Sequence, residues 1–410
     1  MRQAAPEGDV PRFLVIQYGA RHGYAVPQAF NRLGALAGVY TDLLANQGLG
    51  SFLSRLAGNE GRVADALKRR LPPAEILSMF HTFDAPFIIG EAWKIASGTE
   101  SGRQLSKSAA ELAMALRGTR SATHLYTMLG EGGRFVEQAK QSGLGVVGDV
   151  YIALSAEKIV ADEARRFPDW CDQKLPKHSN KCPIKQNSTL LTQSDLLICP
   201  SEFVRDDLIE HYGVDDTRTI IAPYAVNTKW LSLAVEPIPG RALFAGSANI
   251  RKGIHYLAIA AKMLRGVCEM RVAGGVSPRV RYHPAAQDLN FLGFLGPKAM
   301  ASEFAKADVF VFPSLAEGSA GVTAEALGAG VPVVTTKAAG SIVRHGIDGV
   351  IVPERDPKAI ADAVRSIVGD RDKRDAMSKA ARQGAQQFTW DGFARRVIEA
   401  TQLITEHSGQ

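Results

Sequence analysis

The sequence predicts an α/β protein of two domains, each a parallel sheet wrapped by helices. Its 410 residues are enough for two hydrophobic cores. Residues 308–336 read as a strand, a loop, a helix and a second strand, which together make a right-handed parallel unit. Residues 236–240 contain two prolines and are typical of an inter-domain linker. We therefore expect a first domain over residues 1–235 and a second domain that begins at residue 236.

The composition describes a soluble globular protein, with 46% hydrophobic and 22% charged residues. Lysine and arginine (48) exceed aspartate and glutamate (42), a surplus that fits an anionic ligand or an acidic membrane surface but decides little by itself. No apolar run approaches the length of a membrane span, and the first residues lack a signal-peptide core. We expect a cytoplasmic protein, and we expect no nucleic acid among its partners.

The first domain is predicted to start with a strand at residues 12–17, which leads through a glycine-containing turn into a helix over about 26–36. Gly19, Arg21, His22 and Gly23 lie in that turn, and such a turn suits an oxyanion or a sugar hydroxyl. Further strands are predicted at residues 76–80, 122–128, 144–149 and 195–199, with helices between them.

Residues 49–75 interrupt this alternation of strands and helices. They hold five basic residues and apolar residues at helical spacing. A basic amphipathic segment can lie on an anionic membrane or hold a lipid-linked phosphate acceptor. It can equally be the solvated face of a helix, and the sequence leaves both interpretations open.

The second domain is predicted to begin with a strand at residues 241–246. A turn at Gly246 and Ser247 follows, and Lys252 precedes a long amphipathic helix. Further strands are predicted at residues 270–275 and 349–352, and another strand is predicted to end at residues 292–295. Two late helices are predicted at about 357–368 and 372–387.

The unit at residues 308–336 carries the predicted chemistry. Glu317 lies in its loop and Glu325 in its helix. Between them, Gly318, Ser319, Ala320 and Gly321 are small, so a ligand can approach the backbone closely. Ser319 is expected to cap the helix. The unpaired amides at a helix start favour an anion such as a diphosphate, and Glu325 can accept hydrogen bonds from a ribose. Glu317 is left free to face a further polyol.

Glu317, Glu325 and the sequence Ala-Leu-Gly-Ala-Gly-Val-Pro-Val-Val that follows resemble the donor site of retaining glycosyltransferases of the family 4 type (glycosyl transferases group 1). This resemblance implies the GT-B fold, with two Rossmann-like domains facing a central cleft. It implies that residues 236–388 bind the donor and that a helix over 389–410 crosses back onto the first domain. Glu325 would hold the ribose, Glu317 would contact the transferred sugar, and a backbone stretch would meet the phosphates: Gly318, Ser319, Ala320, Gly321 and Val322.

One departure from the family lies in the donor site. Lys252 falls on the family's lysine, which implies that it neutralises the donor diphosphate, but Ser247 stands where the family has arginine. Arg251 is the candidate to replace that charge. Phe294 and Leu295 belong to a loop whose backbone pairs with the nucleobase in the family, so uracil, guanine and adenine are not distinguished.

The resemblance also concerns the first domain. The loop after the first strand faces the cleft in this family, which makes Gly19, Arg21, His22 and Gly23 candidates for phosphate and acceptor binding. A histidine near the reacting centre of several relatives aligns with Tyr126, and His124 lies two residues earlier. No base is assigned, because the leaving phosphate can itself take the proton of the acceptor.

Two sequence patterns could suggest a metal. Asp370 and Asp372 have the spacing of a DxD motif, within a charged run that is predicted to be a solvated loop. Cys171, His178 and Cys182 lie close together in sequence but lack a fourth ligand. We expect no metal and no other cofactor.

The sequence thus predicts a metal-independent retaining glycosyltransferase in polysaccharide, glycolipid or other glycoconjugate synthesis. Its donor would be a UDP-, GDP- or ADP-sugar, and its acceptor a carbohydrate or a lipid-linked molecule. The catalytic candidates are Lys252, Glu317 and Arg251. Two alternatives stay open: a nucleotide-sugar epimerase of the same fold, for which no acid–base set is found, and a non-catalytic sugar-nucleotide-binding subunit.

Overall fold

The computed structural model describes residues 10–58, 60–98, 101–171 and 184–408, without the side chains of 62, 101–104, 184–188 and 405–408. Within these residues the chain forms two parallel sheets. The first contains β1 (Phe13–Ile16), β2 (Leu36–Thr41), β3 (Phe80–Thr82), β4 (His124–Met128), β5 (Gly145–Asp149), β6 (Leu196–Cys199) and β7 (Thr219–Ile221). Its strand order is β3-β2-β1-β4-β5-β6-β7.

The second sheet has the strand order β10-β9-β8-β11-β12-β13, and its neighbouring strands are also parallel. In it, Phe310 pairs with Val333 across β11 and β12. Its strands are β8 (Arg241–Ala245), β9 (Glu269–Ala273), β10 (Leu289–Gly293), β11 (Val309–Phe312), β12 (Val333–Thr336) and β13 (Gly349–Val352).

Helices cover both faces of the two sheets, which is why central strands such as β1 and β11 are apolar and buried at every position. In the first half of the chain they are α1 (Ala25–Arg32), α2 (Gly48–Ala57), α3 (Arg62–Lys68), α4 (Asp84–Ser97), α5 (Ser101–Arg117), α6 (Gly133–Gln141), α7 (Ala156–Arg166), α8 (Ile184–Gln193) and α9 (Glu202–Tyr212). The others are α10 (Thr228–Leu231), α11 (Ile254–Met263), α12 (Pro278–Arg281), α13 (Pro297–Lys306), α14 (Gly321–Gly328), α15 (Pro357–Val368), α16 (Arg371–Ala385) and α17 (Trp390–Ser408).

Two helices pack across the division between the sheets. Phe393 and Val397 of α17 lie in the core of the first sheet, with Phe13. In the opposite direction, Ala164 of α7 lies in the core of the second sheet. The buried Glu163 of α7 accepts a hydrogen bond of 2.7 Å from Nε of Arg355, and Tyr256 and His255 of the second domain also contact its carboxylate. These contacts fix the two domains to each other.

Two predicted elements of the first domain were wrong. The predicted strand at 76–80 is mostly a 3₁₀ helix, Ala74–Met79, and pairing with the sheet begins only at Phe80. The predicted helix over 26–36 ends earlier, because Gly34 adopts a φ of 69° and turns the chain into β2, a strand that was missed.

Two local predictions in the second domain were also wrong. Ser319 does not cap α14; Ala320 occupies the N-cap without a side-chain hydrogen bond. The charged run at 370–372 is the ordered start of α16 rather than a solvated loop. There the Asp370 carboxylate accepts a hydrogen bond from the Lys373 amide, and Arg371 pairs at 2.7 Å with the fully buried Asp308.

Candidate active site

The loop between β11 and α14 is held in place by the turns on either side of it. The Leu315 amide donates a hydrogen bond to the Arg251 carbonyl (2.8 Å). On the other side, the Glu317 amide donates to the Ala338 carbonyl (2.9 Å). The loop therefore presents its side chains from a fixed backbone at the carboxyl edge of the second sheet.

Gly318 is the point where this loop meets the first domain. A Cβ atom at this position would lie 1.7 Å from the carbonyl oxygen of Tyr151, a distance that no packing tolerates. The Ser201 hydroxyl donates a hydrogen bond of 2.6 Å to the Gly318 carbonyl. Glycine at 318 therefore permits close contact between the two domains beside Glu317.

The three predicted catalytic residues form one charged cluster. Nζ of Lys252 lies 2.6 Å from Oε1 of Glu317, and Nη1 of Arg251 lies 2.8 Å from Oε2 of the same carboxylate. Lys252 also lies over the ring of Phe312, 4.8 Å from its centroid. Burial lowers the pKa of Lys252, an effect that the Glu317 carboxylate opposes.

Two expectations about this cluster are revised by its geometry. Glu317 is not left free, since both of its carboxylate oxygens accept from cations. The sequence did not show which way the Arg251 side chain points. In the structure it points toward Glu317, and it also donates a hydrogen bond to the Ala316 carbonyl (2.9 Å). The carboxylate keeps two positive groups aligned at one end of the loop.

Glu325 lines a cavity of about 530 Å³ that lies between the two domains. Burial raises the pKa of Glu325, while Lys229 lowers it. The start of α14 opens into the same cavity. The lining residues come from the first domain, the inter-domain segment, α14 and α17: His22, Gly23, Ala225, Val226, Asn227, Thr228, Gly321, Ala324, Glu325 and Trp390.

The other predicted donor residues lie at the same sheet edge. Gly246 follows β8 with a φ of 139° and packs against the Lys252 side chain, which leaves little room for a Cβ atom. Ser247 is exposed. Phe294 directly follows β10, and its side chain is 87% exposed. Leu295, Ser319 and Val322 are half-buried, while Ala320 is buried. Phe294 is thus the most accessible apolar side chain near this edge for stacking with a ligand ring.

The turn after β1 contributes His22 and Gly23 to the lining of the cavity between the domains. The Gly19 amide donates to Oδ1 of Asp42 (2.9 Å). The guanidinium of Arg21 lies over the Tyr151 ring, 4.3 Å from its centroid. Arg21 therefore packs on the first domain and does not extend into solvent. His22 packs between Tyr224 and Trp390, and burial, reinforced by Arg21, lowers its pKa to about 4. His22 is therefore neutral at pH 7.

The placement of Tyr126 in the cleft was wrong. Tyr126 lies in the middle of β4, is 1% exposed, and its hydroxyl donates to Oδ2 of Asp149 (2.5 Å). His124 begins β4 and lines a different cavity, with Lys140 and Asp195, at the amino edge of the sheet. Ligands of parallel sheets bind at the carboxyl edge, so neither residue is available to the cleft.

Glu131 is the acidic residue that the sequence interpretation missed. It follows β4 at the carboxyl edge, is 7% exposed, and accepts a hydrogen bond from the Tyr18 amide (3.0 Å). Nε of Arg21 lies 3.5 Å from its Oε1. Burial raises the pKa of Glu131 to about 8. The available signal was an acid flanked by glycines directly after an apolar strand.

The basic segment at residues 49–75 is helical, as its spacing predicted. One of its five cations, Arg70, turns inward and pairs with Asp42 at 2.7 Å. Among the residues that the structure describes, no group of His, Cys, Asp and Glu could hold a metal; His178 and Cys182 lie outside them. No described helix is both long and apolar enough to cross a membrane.

Residues 239–370 match the family model of glycosyl transferases group 1. The matched segment is about a third of the chain. It contains Arg251, Lys252, Glu317 and Glu325, so the group 1 segment carries both the charged cluster and the acid of the cavity. The sequence-based recognition of this family is confirmed.

Curated relatives are similar over about half of the chain. The D-inositol 3-phosphate glycosyltransferase of Xylanimonas cellulosilytica is 27% identical over 251 residues, which cover 53% of this chain and 59% of the relative. The glycogen synthase of Mycobacterium tuberculosis is 28% identical, over 58% of this chain and 60% of the relative. The chain spans about half to three fifths of the length of the relatives it matches.

Solved structures resemble the whole chain. Sucrose-phosphate synthase from Thermosynechococcus elongatus has a TM-score of 0.63 at 16% identity and covers 97% of this chain and 100% of its own. Anabaena HepE, in complex with UDP and glucose, has a TM-score of 0.61 at 15% identity and covers 95% and 98%. These similarities concern the fold, and they confirm the predicted GT-B architecture of two parallel-sheet domains.

Proposed function

We propose that this protein is a retaining glycosyltransferase of the family 4 type, which transfers a sugar from a nucleoside-diphosphate sugar to an acceptor hydroxyl. The observation that carries the proposal is the pairing of Arg251 and Lys252 with Glu317 in the group 1 segment, beside a cavity that contains Glu325. An epimerase would need acid and base groups around a sugar ring, and this cluster supplies cations instead.

The two cations suit a departing diphosphate. Negative charge develops on the leaving phosphate as the glycosidic bond breaks, so cations placed there stabilise the transition state more than the bound donor. Lys252 is only 15% exposed, and water therefore screens its charge less than it would on the surface. With two fixed cations and the α14 amides at the phosphates, the transfer requires no divalent metal.

The cavity between the domains suits the nucleoside and the phosphates. Glu325 would accept hydrogen bonds from the ribose hydroxyls, and the amides at the start of α14, near Gly321, would meet the phosphates. Phe294 and Leu295 would border the nucleobase. The complex of HepE with UDP and glucose supports UDP as the first nucleotide to test, before GDP and ADP.

The acceptor would enter from the first domain. Gly19, Arg21, His22 and Gly23 form the turn that faces the group 1 segment, and Arg21 contacts Tyr151 next to Gly318. An acceptor hydroxyl held between this turn and the donor would attack on the face from which the phosphate leaves. The leaving oxygen then takes the proton, and the anomeric configuration is retained. The acceptor is a carbohydrate or a lipid-linked hydroxyl.

A thermal-shift panel of UDP-, GDP- and ADP-sugars tests the proposal without knowledge of the acceptor. A ligand at 100 times its dissociation constant adds about 2.7 kcal/mol to the free energy of unfolding. We expect one nucleotide class to raise the melting temperature. The nucleoside diphosphate should stabilise the wild type more than Lys252→Ala, and the plain nucleoside should not discriminate between them. Absence of stabilisation by all three classes at millimolar concentration would contradict the proposal.

A further inference from the structure

Exposed apolar side chains are concentrated on one side of the first domain. Eleven of the nineteen large ones in the described part of the chain lie between Leu49 and Leu116, which is the region of α2 to α5. The most exposed of them are Leu116 (84%) and Ile95 (83%). Single exposed apolar residues are ordinary, but a contiguous group marks a surface that binds something.

The outer side of α5 is an apolar stripe. Its fully buried Met114 belongs to the core of the first sheet, and the opposite side of the helix faces solvent. Exposed apolar positions recur there at intervals of four, three and four residues, so they lie in one row along the helix. They are Leu105, Ala109, Leu112 and Leu116.

α4 packs against α5 and is apolar on its outer side as well. On its inner side, Phe87 and Ile88 pack in a small cluster with Leu53 of α2. α4 thus has apolar residues on two sides, and beyond its first residue its only charged residues are the half-buried Glu91 and Lys94. At 14 residues it is about 21 Å long, which is too short to cross a hydrocarbon layer of about 30 Å. Its exposed apolar residues are Ala85, Ile89, Ala92, Trp93, Ile95 and Ala96.

We propose that α4 and α5 dock on an anionic membrane surface. The face that docks, here called the hairpin face, consists of Ile89, Trp93, Leu105, Leu112 and Leu116. Two helices lying flat, with a tryptophan at the apolar boundary, match the way interfacial helices bind lipid.

Charge on the neighbouring surface favours anionic lipid as the occupant. The exposed positions of the outer side of α4 carry no charged residue, and exposed cations lie in the adjoining helices and their ends. Each cation near an anionic surface adds about 1 kcal/mol of attraction. The exposed cations of this region are Arg55, Lys68, Arg69, Lys107 and Arg117, and they outnumber its exposed acids, which are Glu60, Asp65 and Glu75.

The position of the hairpin face selects between the two acceptor classes, and this step rests on the proposed function. α2, which packs on α4, follows the loop in which Asp42 binds both the Gly19 amide and Arg70. α4 is thus linked to the turn assigned to the acceptor through α2 and the loop that carries Asp42. A protein docked this way meets an acceptor that is itself embedded in the membrane, so the acceptor is lipid-linked.

Vesicle co-sedimentation of the full chain tests the docking. We expect binding to vesicles of phosphatidylcholine mixed with phosphatidylglycerol, weaker binding to phosphatidylcholine alone, and a decrease with added salt. The triple variant Ile89→Ser, Trp93→Ser, Leu112→Ser should lose about tenfold or more of the partitioning. The matched control is Met263→Ser, Tyr282→Ser, Ile347→Ser, which removes three exposed apolar side chains of the second domain and should bind like the wild type.

Three results would overturn the docking proposal. The first is no vesicle binding by the wild type. The second is equal binding by both triple variants at unchanged melting temperatures. The third is a dimer, seen in light scattering, that only the hairpin-face variant disrupts. The last would assign the hairpin face to a second copy of the chain. None of these measurements uses a donor, so nucleotide stabilisation can hold while docking fails, and docking can hold while nucleotide binding fails.

Discussion

At the residue scale, the chemistry depends on one carboxylate that holds two cations. Glu317 contacts Lys252 and Arg251 through different oxygens, and the diphosphate of a donor would compete for the same cations. The carboxylate therefore aligns the cations before the donor arrives. The sequence indicated Lys252 and Glu317 through their family positions. It could not give the direction of Arg251, because a side chain next to the family position can turn either way.

Lys252→Ala should lower kcat by about a hundredfold or more, because the cation acts mainly on charge that develops in the transition state. The measurement is steady-state turnover of the donor nucleotide selected by thermal shift. Arg265→Ala is the control, since Arg265 is exposed and pairs with Asp288 elsewhere on the same domain. A near-normal kcat in Lys252→Ala would show that the phosphates bind elsewhere.

Glu325→Gln and Glu317→Gln should separate nucleotide binding from sugar transfer. Glu325→Gln weakens the hydrogen bonds to the ribose and should raise the Kd of the bare nucleoside diphosphate about tenfold. Glu317→Gln removes a competitor for the cations and should leave that Kd within about threefold, yet lower turnover. Isothermal titration calorimetry gives both affinities. An equal loss of nucleotide affinity in the two variants would contradict this division of roles.

Glu131 should make the stability of the protein depend on pH. Its pKa is raised to about 8, so its contribution is complete below about pH 4.5 and is lost as the pH rises through about 8. Glu131→Gln should remove this dependence, which is on the order of a few kcal/mol between pH 5 and 9. Denaturant titrations at several pH values measure it, with the exposed Glu157→Gln as control. Parallel stability curves for wild type and Glu131→Gln would refute the assignment.

At the element scale, the strength of local signals decided how well the sequence predicted the structure. β11, α14 and β12 formed where expected, because two apolar β-branched runs flank a short helix and the whole unit is buried. β2 was missed because it contains Gly38 and follows a helix directly. The apolar outer sides of α4 and α5 were not recognised, since apolar positions in a sequence do not show which of them remain exposed.

Gly318→Ala tests the contact between the β11–α14 loop and the first domain. The added methyl group would collide with the backbone oxygen of Tyr151, so the free energy of unfolding should fall by about 1–3 kcal/mol. Gly321→Ala, three residues on, has no atom within 4 Å of the new Cβ and should change the stability by less than about 1 kcal/mol. Chemical denaturation compares the two. If both variants lose the same stability, the close contact at Gly318 is not required.

At the scale of the whole molecule, the site is shared by both domains, and this arrangement limited the sequence interpretation. The donor side follows one continuous segment, so its residues could be assigned from their spacing and from the family resemblance. The contacts of Tyr151 with Gly318 and of Trp390 with His22 join residues far apart in the chain. Glu131 lies near Arg21 because β4 is the neighbour of β1 in the sheet, although the two strands are far apart in the sequence. Such juxtapositions follow from the fold, and local patterns do not encode them.

The central claim, retaining and metal-free transfer from a sugar nucleotide, is tested most directly by following donor hydrolysis with proton NMR in excess EDTA. Water acts as the acceptor, so the experiment needs no knowledge of the natural acceptor. With an α-linked UDP-, GDP- or ADP-glucose, we predict release of the nucleoside diphosphate and early appearance of α-glucose, before mutarotation, with strong loss in Lys252→Ala. Early β-glucose would contradict retention, arrest by EDTA would contradict metal independence, and no release from any of the three donors would contradict the transferase itself.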